Sequence, residues 1–132
     1  MQKAAQILND AEKPVILVGQ GALKAGDEIV ELAEKLGAPI VKALLGKAVV
    51  PDDHPLTTGG LGLLGTTPSQ NAMENCDALL MIGMSRNLDI IAARKSGILS
   101  LGVTYGFGSR EELRQKPEPI IFATILWKLR IL

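Results

Sequence analysis

Pro14-Val-Ile-Leu-Val-Gly-Gln-Gly21 is the stretch that decides the fold. Its apolar, largely β-branched run, 14–18, shows no polar alternation, as expected of a strand buried on both faces. Gly19, Gln20 and Gly21 then stop the strand in a tight turn. Upstream, 4–8 reads as a short leading helix. Downstream, Ile29, Leu32, Ala33 and Leu36 follow helical spacing from Asp27, and Gly37 supplies the C-terminal stop. The next strand is expected over 39–43.

The same alternation continues along the chain. Thr67, Pro68 and Gln70 read as a capping box with proline at the first helical position, opening a helix through Met73. Strands follow at 78–82, 98–103 and 120–123, with helices at 87–96, after the capping box Ser109–Glu112, and at 125–132. Strands alternating with helices imply a parallel sheet covered on both faces, with right-handed crossovers. The expected fold is a three-layer, doubly wound, five-stranded parallel sheet, flavodoxin-like or Rossmann-like, in the order 2-1-3-4-5. Its switch point lies between the first and third strands, so 19–22 and 83–87 are expected to face each other across a crevice.

A chain of 132 residues that is 47% hydrophobic suffices for one domain with a core and is too short for two. Residues 1–132 are therefore read as a single domain. Fourteen basic residues balance fourteen acidic ones, which removes the electrostatic reason to expect nucleic acid or an anionic membrane as partner. Cys76 is the single cysteine, so no internal disulfide or cysteine metal cluster can form, and it reads as a small, half-buried apolar side chain. The first ten residues lack the basic and apolar regions of a signal peptide, and no apolar run approaches the ~20 residues of a membrane span. A soluble, cytoplasmic protein is expected.

The segments KPVILVGQGA (13–22), LAEKLGAPIVKALLGKAVVPDDHPL (32–56), GGLGLLGT (59–66) and CDALLMIG (76–83) carry a family resemblance. Residues 3–84 resemble the middle domain of thiamine-diphosphate-dependent enzymes of the pyruvate oxidase and acetolactate synthase group. That resemblance implies a thiamine cofactor held between two flanking domains rather than by the middle domain, and FAD bound by the middle domain in some members. By the same resemblance, Gly19, Gly21 and Lys42 fall where FAD-binding relatives touch their cofactor. From Ser85 onward, SRNLDIIAARKSGILSLGVTYGFGSREEL resembles the C-terminal part of haloacid-dehalogenase-type phosphatases, the phosphoglycolate phosphatase-like members in particular. In those enzymes aspartates hold Mg²⁺ and a nucleophilic aspartate lies on the first strand. Here Met84 stands where a metal aspartate is expected, Asp89 is the remaining candidate acid, and 15–21 holds no carboxylate. Phosphoryl transfer needs a nucleophile and charge neutralisation, so phosphatase activity is not expected.

Other candidate motifs have plainer readings. Gly60, Gly62 and Gly65 spell the dinucleotide fingerprint, but the residues before them, 52–58, read as a polar loop rather than a strand. His54, Asp52 and Asp53 read as solvated loop residues, and Arg86, Arg94 and Lys95 as a solvated basic face. Tyr105 and Phe107 read as loop packing. Trp127 and Leu129 are expected to cover the sheet, with a homo-oligomer left open by the apolar last helix.

Two resemblances joined near 84–89 lead to one expectation: a designed or recombined chimeric scaffold, not an enzyme, with no intact catalytic site, metal or cofactor. The alternative is weak FAD, nucleotide or phosphate binding at the crevice above the first and third strands.

Overall fold

The computed structural model describes residues 2–84, 99–103 and 121–123. The order is α1 (Gln2–Asp10), β1 (Pro14–Val18), α2 (Gly26–Leu36), β2 (Ile40–Lys42), β3 (Thr57–Gly60), α3 (Thr67–Asn75), β4 (Ala78–Ile82), β5 (Leu99–Val103) and β6 (Ile121–Ala123). All six strands are parallel, in the order β3-β2-β1-β4-β5-β6. The chain is thus α/β with a parallel sheet, but the expected five strands are six. Thr57-Thr58-Gly59-Gly60 carries no large apolar side chain, so its sequence does not announce a strand. Pairing with β2 makes it one, through Ile40↔Thr57 and Lys42↔Gly60. The expected helices at 87–96, after Ser109 and at 125–132 lie outside the described residues, as do Arg86, Asp89, Arg94, Lys95, Tyr105, Phe107, Trp127 and Leu129.

β1 and β4 are the two central strands, and every residue in both is buried. β1 runs in register with β4 from Pro14↔Ala78 to Val18↔Ile82, and with β2 from Ile16↔Ile40 to Val18↔Lys42. Strand alternation divides the core between the two faces. Ile16, Val18, Ile40, Leu80 and Ile82 pack with Ala4 and Leu8 of α1 and with Ile29, Leu32 and Ala33 of α2. Val15, Leu17, Val41, Leu79 and Met81 form the other face with Cys76, and Ala72 and Met73 of α3 pack on it. Each fully buried aliphatic side chain contributes about 1.5–3 kcal/mol relative to exposure. The Cys76 thiol donates to the Met73 carbonyl at 3.2 Å, and burial pushes its pKa up, which suits an inert core cysteine.

Helix ends follow local chemistry. Gly37 caps α2 in the left-handed conformation at φ 61°, as its position after Leu36 predicts. At α3 the cap is Thr66 rather than Thr67: its hydroxyl accepts from Ser69 N–H, with Pro68 in the first turn. The cap is therefore one residue earlier than expected, and with Ser69 rather than Gln70 at its third helical position it is a simple hydroxyl cap and not a capping box. Thr66 Oγ1 also donates to the Thr58 carbonyl at 2.5 Å, and buried Ser69 lies 2.9 Å from the Thr58 hydroxyl. This hydroxyl chain ties α3 to β3.

At the opposite edge of the sheet, Asp77 accepts from Glu12 N–H at 2.8 Å and Lys13 N–H at 2.9 Å, aligning the starts of β1 and β4. The Glu12 N–H bond, followed by that from Lys13, holds the Asp77 carboxyl below the ordinary 3.8. A carboxyl whose folded pKa is depressed adds stability that is complete above its unfolded pKa and lost as pH falls through the folded one. Asp77→Asn should therefore be less stable than the parent at neutral pH, with the gap closing below about pH 4. Denaturant midpoints followed by circular dichroism between neutral and acid pH measure this; a gap that stays constant with pH contradicts it.

Candidate functional site

The C-terminal edge of the sheet, where ligands of open α/β folds gather, is built from the turns after β1, β2, β3 and β4. The first and last of these are locked together. Gly19 N–H donates to the Ile82 carbonyl at 2.8 Å, and Gly21 N–H to the Gly83 carbonyl at 2.9 Å. A Cβ on Gly19 would lie 2.5 Å from the Gly83 oxygen and 2.8 Å from Met84 Sδ. One on Gly83 would strike Ala22 N and lie 2.6 Å from Gly21 C. The expected open crevice between these turns is instead a backbone-to-backbone contact that only glycine permits.

Ala22 N–H and Leu23 N–H are also committed, to the Gly19 and Gln20 carbonyls, in a 3₁₀ turn over Gln20–Ala22. A phosphate cradle needs backbone amides that point outward and unpaired. Those of Gly19, Gly21, Ala22 and Leu23 point inward.

Lys42 ends β2 and is fully buried, the one charged side chain so placed among the described residues. Its ammonium donates to the Val50 carbonyl at 3.0 Å and pairs with the Asp52 carboxylate. That hydrogen bond, then the charge of Lys42, holds the Asp52 carboxyl below its ordinary range. Asp52, expected to be a plain solvated residue, is thus a partner of a buried charge. The pair draws 47–52 onto the sheet and buries Val49 and Val50. A lysine is seldom buried unless paired, and nothing in the residue pattern around position 42 announces this one.

The glycine-rich loop does follow a strand: Gly60 closes β3, which takes in Thr57 and Thr58 of the expected polar loop and leaves 52–56 as a loop. The loop then folds on itself. Leu61 N–H donates to the Lys42 carbonyl at 2.9 Å, Gly65 N–H to that of Gly62 at 2.8 Å, and Thr66 N–H to that of Gly60 at 3.0 Å. Leu63 and Leu64 are left at its tip, exposed.

Gly19 and Gly21 therefore lie in the turn after β1 and Lys42 at the end of the neighbouring β2, on one edge, with the two glycine amides and the ammonium bonded within the protein. His54 serves its own loop: its Nδ1 accepts from Leu56 N–H at 3.3 Å and its carbonyl from Thr57 N–H at 3.0 Å. The loop leucines at the sheet's edge are the feature that sequence reasoning missed, because hydropathy alone does not separate a core leucine from one on a turn.

Residues 1–114 match the family model described as thiamine pyrophosphate enzyme, central domain. A Bacillus subtilis protein provisionally named as thiamine pyrophosphate-containing is 54% identical over 81 residues, which cover 61% of this chain and 14% of that protein. A 3D-(3,5/4)-trihydroxycyclohexane-1,2-dione hydrolase of Bacillus subtilis is 36% identical over 98 residues, 73% of this chain and 15% of the hydrolase. An acetolactate synthase of Arthrospira platensis is 35% identical over 89 residues, 64% of this chain and 15% of the synthase. The chain thus spans about one seventh of these curated relatives. An X-ray structure of a Mycobacterium smegmatis protein, provisionally described as a thiamin diphosphate-dependent enzyme, superposes with a TM-score of 0.63 at 21% identity, covering 92% of this chain and 24% of that one. That likeness is one of fold.

These findings overturn several expectations. The family match crosses the supposed seam at 84–89 and continues to residue 114, so a chimera with a haloacid-dehalogenase-like second part, designed or recombined, is not supported. The features that suggested it, a strand, a glycine turn and a capped helix, occur in any parallel α/β sheet. A scaffold without function, not an enzyme, is likewise corrected: the matched family is one of enzymes and their domains. So is the expectation of no cofactor, or of FAD, since the family is defined by thiamine pyrophosphate. Among the described residues, no helix is long and apolar enough to cross a membrane.

Proposed function

Because the chain belongs to the thiamine pyrophosphate enzyme central-domain family, we propose that it is the central structural domain of a thiamine-diphosphate-dependent enzyme of the acetolactate synthase kind. In this reading residues 1–132 form one α/β unit that positions the parts of the enzyme holding the cofactor and the reacting carbons.

The observation that carries this division of labour is the chemistry of the sheet's C-terminal edge. A diphosphate is held through a divalent cation on several oxygen ligands, or by unpaired backbone amides. Among the described residues no group of three or more His, Cys, Asp or Glu side chains is placed to hold a metal. The Gly19, Gly21, Ala22 and Leu23 amides after β1 are bonded internally, and the ammonium of Lys42 is occupied by Val50 and Asp52. The described residues do not fit thiamine diphosphate, so no catalytic step is assigned to them. When bound, the cofactor would supply a nucleophilic ylid carbon and a cationic ring able to take up the electron pair of a carbanion. What the residues of this domain do is hold shape: Gly19, Gly21 and Gly83 clamp β1 to β4, and Lys42 pins the loop over β2.

The test is a graft. Replacing the matching 89-residue segment of the Arthrospira platensis acetolactate synthase with that of this chain should leave a folded protein that forms acetolactate in a thiamine-diphosphate-dependent manner. A folded graft that binds the cofactor yet forms no acetolactate contradicts the reading.

A further inference from the structure

Among the described residues, the large apolar side chains left exposed are Leu23, Leu44, Leu45, Leu63 and Leu64, at 45%, 69%, 62%, 103% and 85%. Single exposed leucines on a protein surface need no explanation. Their placement does. Leu23 follows the turn after β1, Leu44 and Leu45 lie in the 3₁₀ turn over Leu44–Gly46 after β2, and Leu63 and Leu64 tip the loop after β3. β1, β2 and β3 are consecutive neighbours in the sheet, and parallel strands lie about 4.8 Å apart. All five leucines therefore rise from one edge, over three adjacent strands.

The two loops that hold four of the five are stiff and uncharged, with Lys24 after Leu23 and Lys47 after Gly46 at the margin of the patch. Residues 43–46 and 59–66 contain no acidic or basic side chain. Gly46 N–H donates to the Ala43 carbonyl at 2.8 Å, and the Leu61, Gly65 and Thr66 amides are bonded as described above, so backbone pairing fixes the leucines facing outward. The other edge of the sheet has the opposite character, with Glu12, Lys13 and Asp77 at the starts of β1 and β4. A rigid apolar edge opposite a charged one marks a surface that another protein surface covers.

We propose that this leucine edge is the docking surface for the catalytic part of the same enzyme, an apolar and uncharged surface lying outside these residues. The inference rests on the function proposed above. Size argues for an attached partner over a second free copy. A patch of this kind offers roughly a few hundred Å², whereas partners that associate freely bury about 1,200 Å² or more. A covalently linked domain needs far less, because its effective concentration is already high. The relatives are about seven times the length of their matching segments, which supplies such a partner.

The experiment uses the acetolactate synthase graft and the 132-residue chain side by side, each as parent, as Leu63→Asp/Leu64→Asp, and as Gln6→Asp/Asn9→Asp on exposed positions of α1. By scanning calorimetry the parent graft should melt in one transition. The leucine variant of the graft should lose that shared transition and melt in two, while the α1 variant keeps it. In the 132-residue chain the leucine variant should melt at the parent's midpoint, which shows that the substitution spares the fold itself. A leucine-variant graft that melts like its parent overturns the proposal. So does a parent graft that already melts in two transitions, or a 132-residue chain that sediments as a dimer and becomes monomeric with the leucine variant. The two readings fail separately: a parent graft with one transition and no acetolactate formation sinks the function while the docking surface stands.

Discussion

Gly83→Ala should destabilise the fold by about 3 kcal/mol or more, combining a backbone clash with left-handed strain. Gly83 sits at φ 68°, where a Cβ meets Ala22 N and the Gly21 carbonyl carbon rather than a side chain that can turn away. Relief would require separating the turns after β1 and β4, which breaks the Gly21 N–H to Gly83 carbonyl bond. Gly37→Ala is the control: φ there is 61° with nothing within 4 Å of an added Cβ, so it should cost only the strain, about 1–2 kcal/mol. Urea denaturation of the two variants measures the difference. Equal losses would mean that the turns are not in contact.

Lys42→Ala should be the second large effect, at about 3 kcal/mol, because it empties a fully buried position and strands the Val50 carbonyl that the ammonium satisfies. Lys42→Met separates the two causes. Methionine refills most of the volume, so its cost of about 1–3 kcal/mol is that of the unsatisfied carbonyl. Both variants should also loosen the segment that Lys42 holds. Amide exchange at Val49 and Val50 should speed up more than at Leu79 or Met81 in β4, which the ammonium does not touch. Uniform exchange across the sheet, or a Lys42→Ala variant as stable as its parent, would deny the lysine this role.

The central strands were legible because burial on both faces leaves an apolar signature that needs no context. Residues 14–18 and 78–82 occur as read, and Gly37 ends α2 where spacing places it. β3 was not legible. Thr57-Thr58-Gly59-Gly60 becomes a strand only because β2 offers it a partner, a tertiary contact with no local pattern. The glycines of 19–21 and 83 were visible as turns, but their mutual contact depends on register between strands whose paired residues are 64 positions apart, Pro14↔Ala78 to Val18↔Ile82, which no single-strand pattern encodes. Lys42 was reached through family resemblance alone, and its burial beside Asp52 reverses the usual habit of both residue types. At the C-terminal side, a short motif in 85–113 outweighed the continuity of the sheet, whereas β5 pairs with β4 from Ala78↔Leu99 to Met81↔Gly102.

The leucine edge shows the same limit from the other side. Leu44, Leu45, Leu63 and Leu64 have the composition of core residues and the location of loop residues. Hydropathy reads the first and the fold decides the second. Committed backbone amides and a paired lysine on the same edge are what turn attention from ligand binding to domain architecture.

The most direct test is calorimetric titration of the 132-residue chain and of the acetolactate synthase graft with thiamine diphosphate and Mg²⁺. A central domain that positions the cofactor-holding parts without holding the cofactor should give no binding heat alone, while the graft binds. Saturable binding of thiamine diphosphate by the 132-residue chain itself would contradict that division of labour.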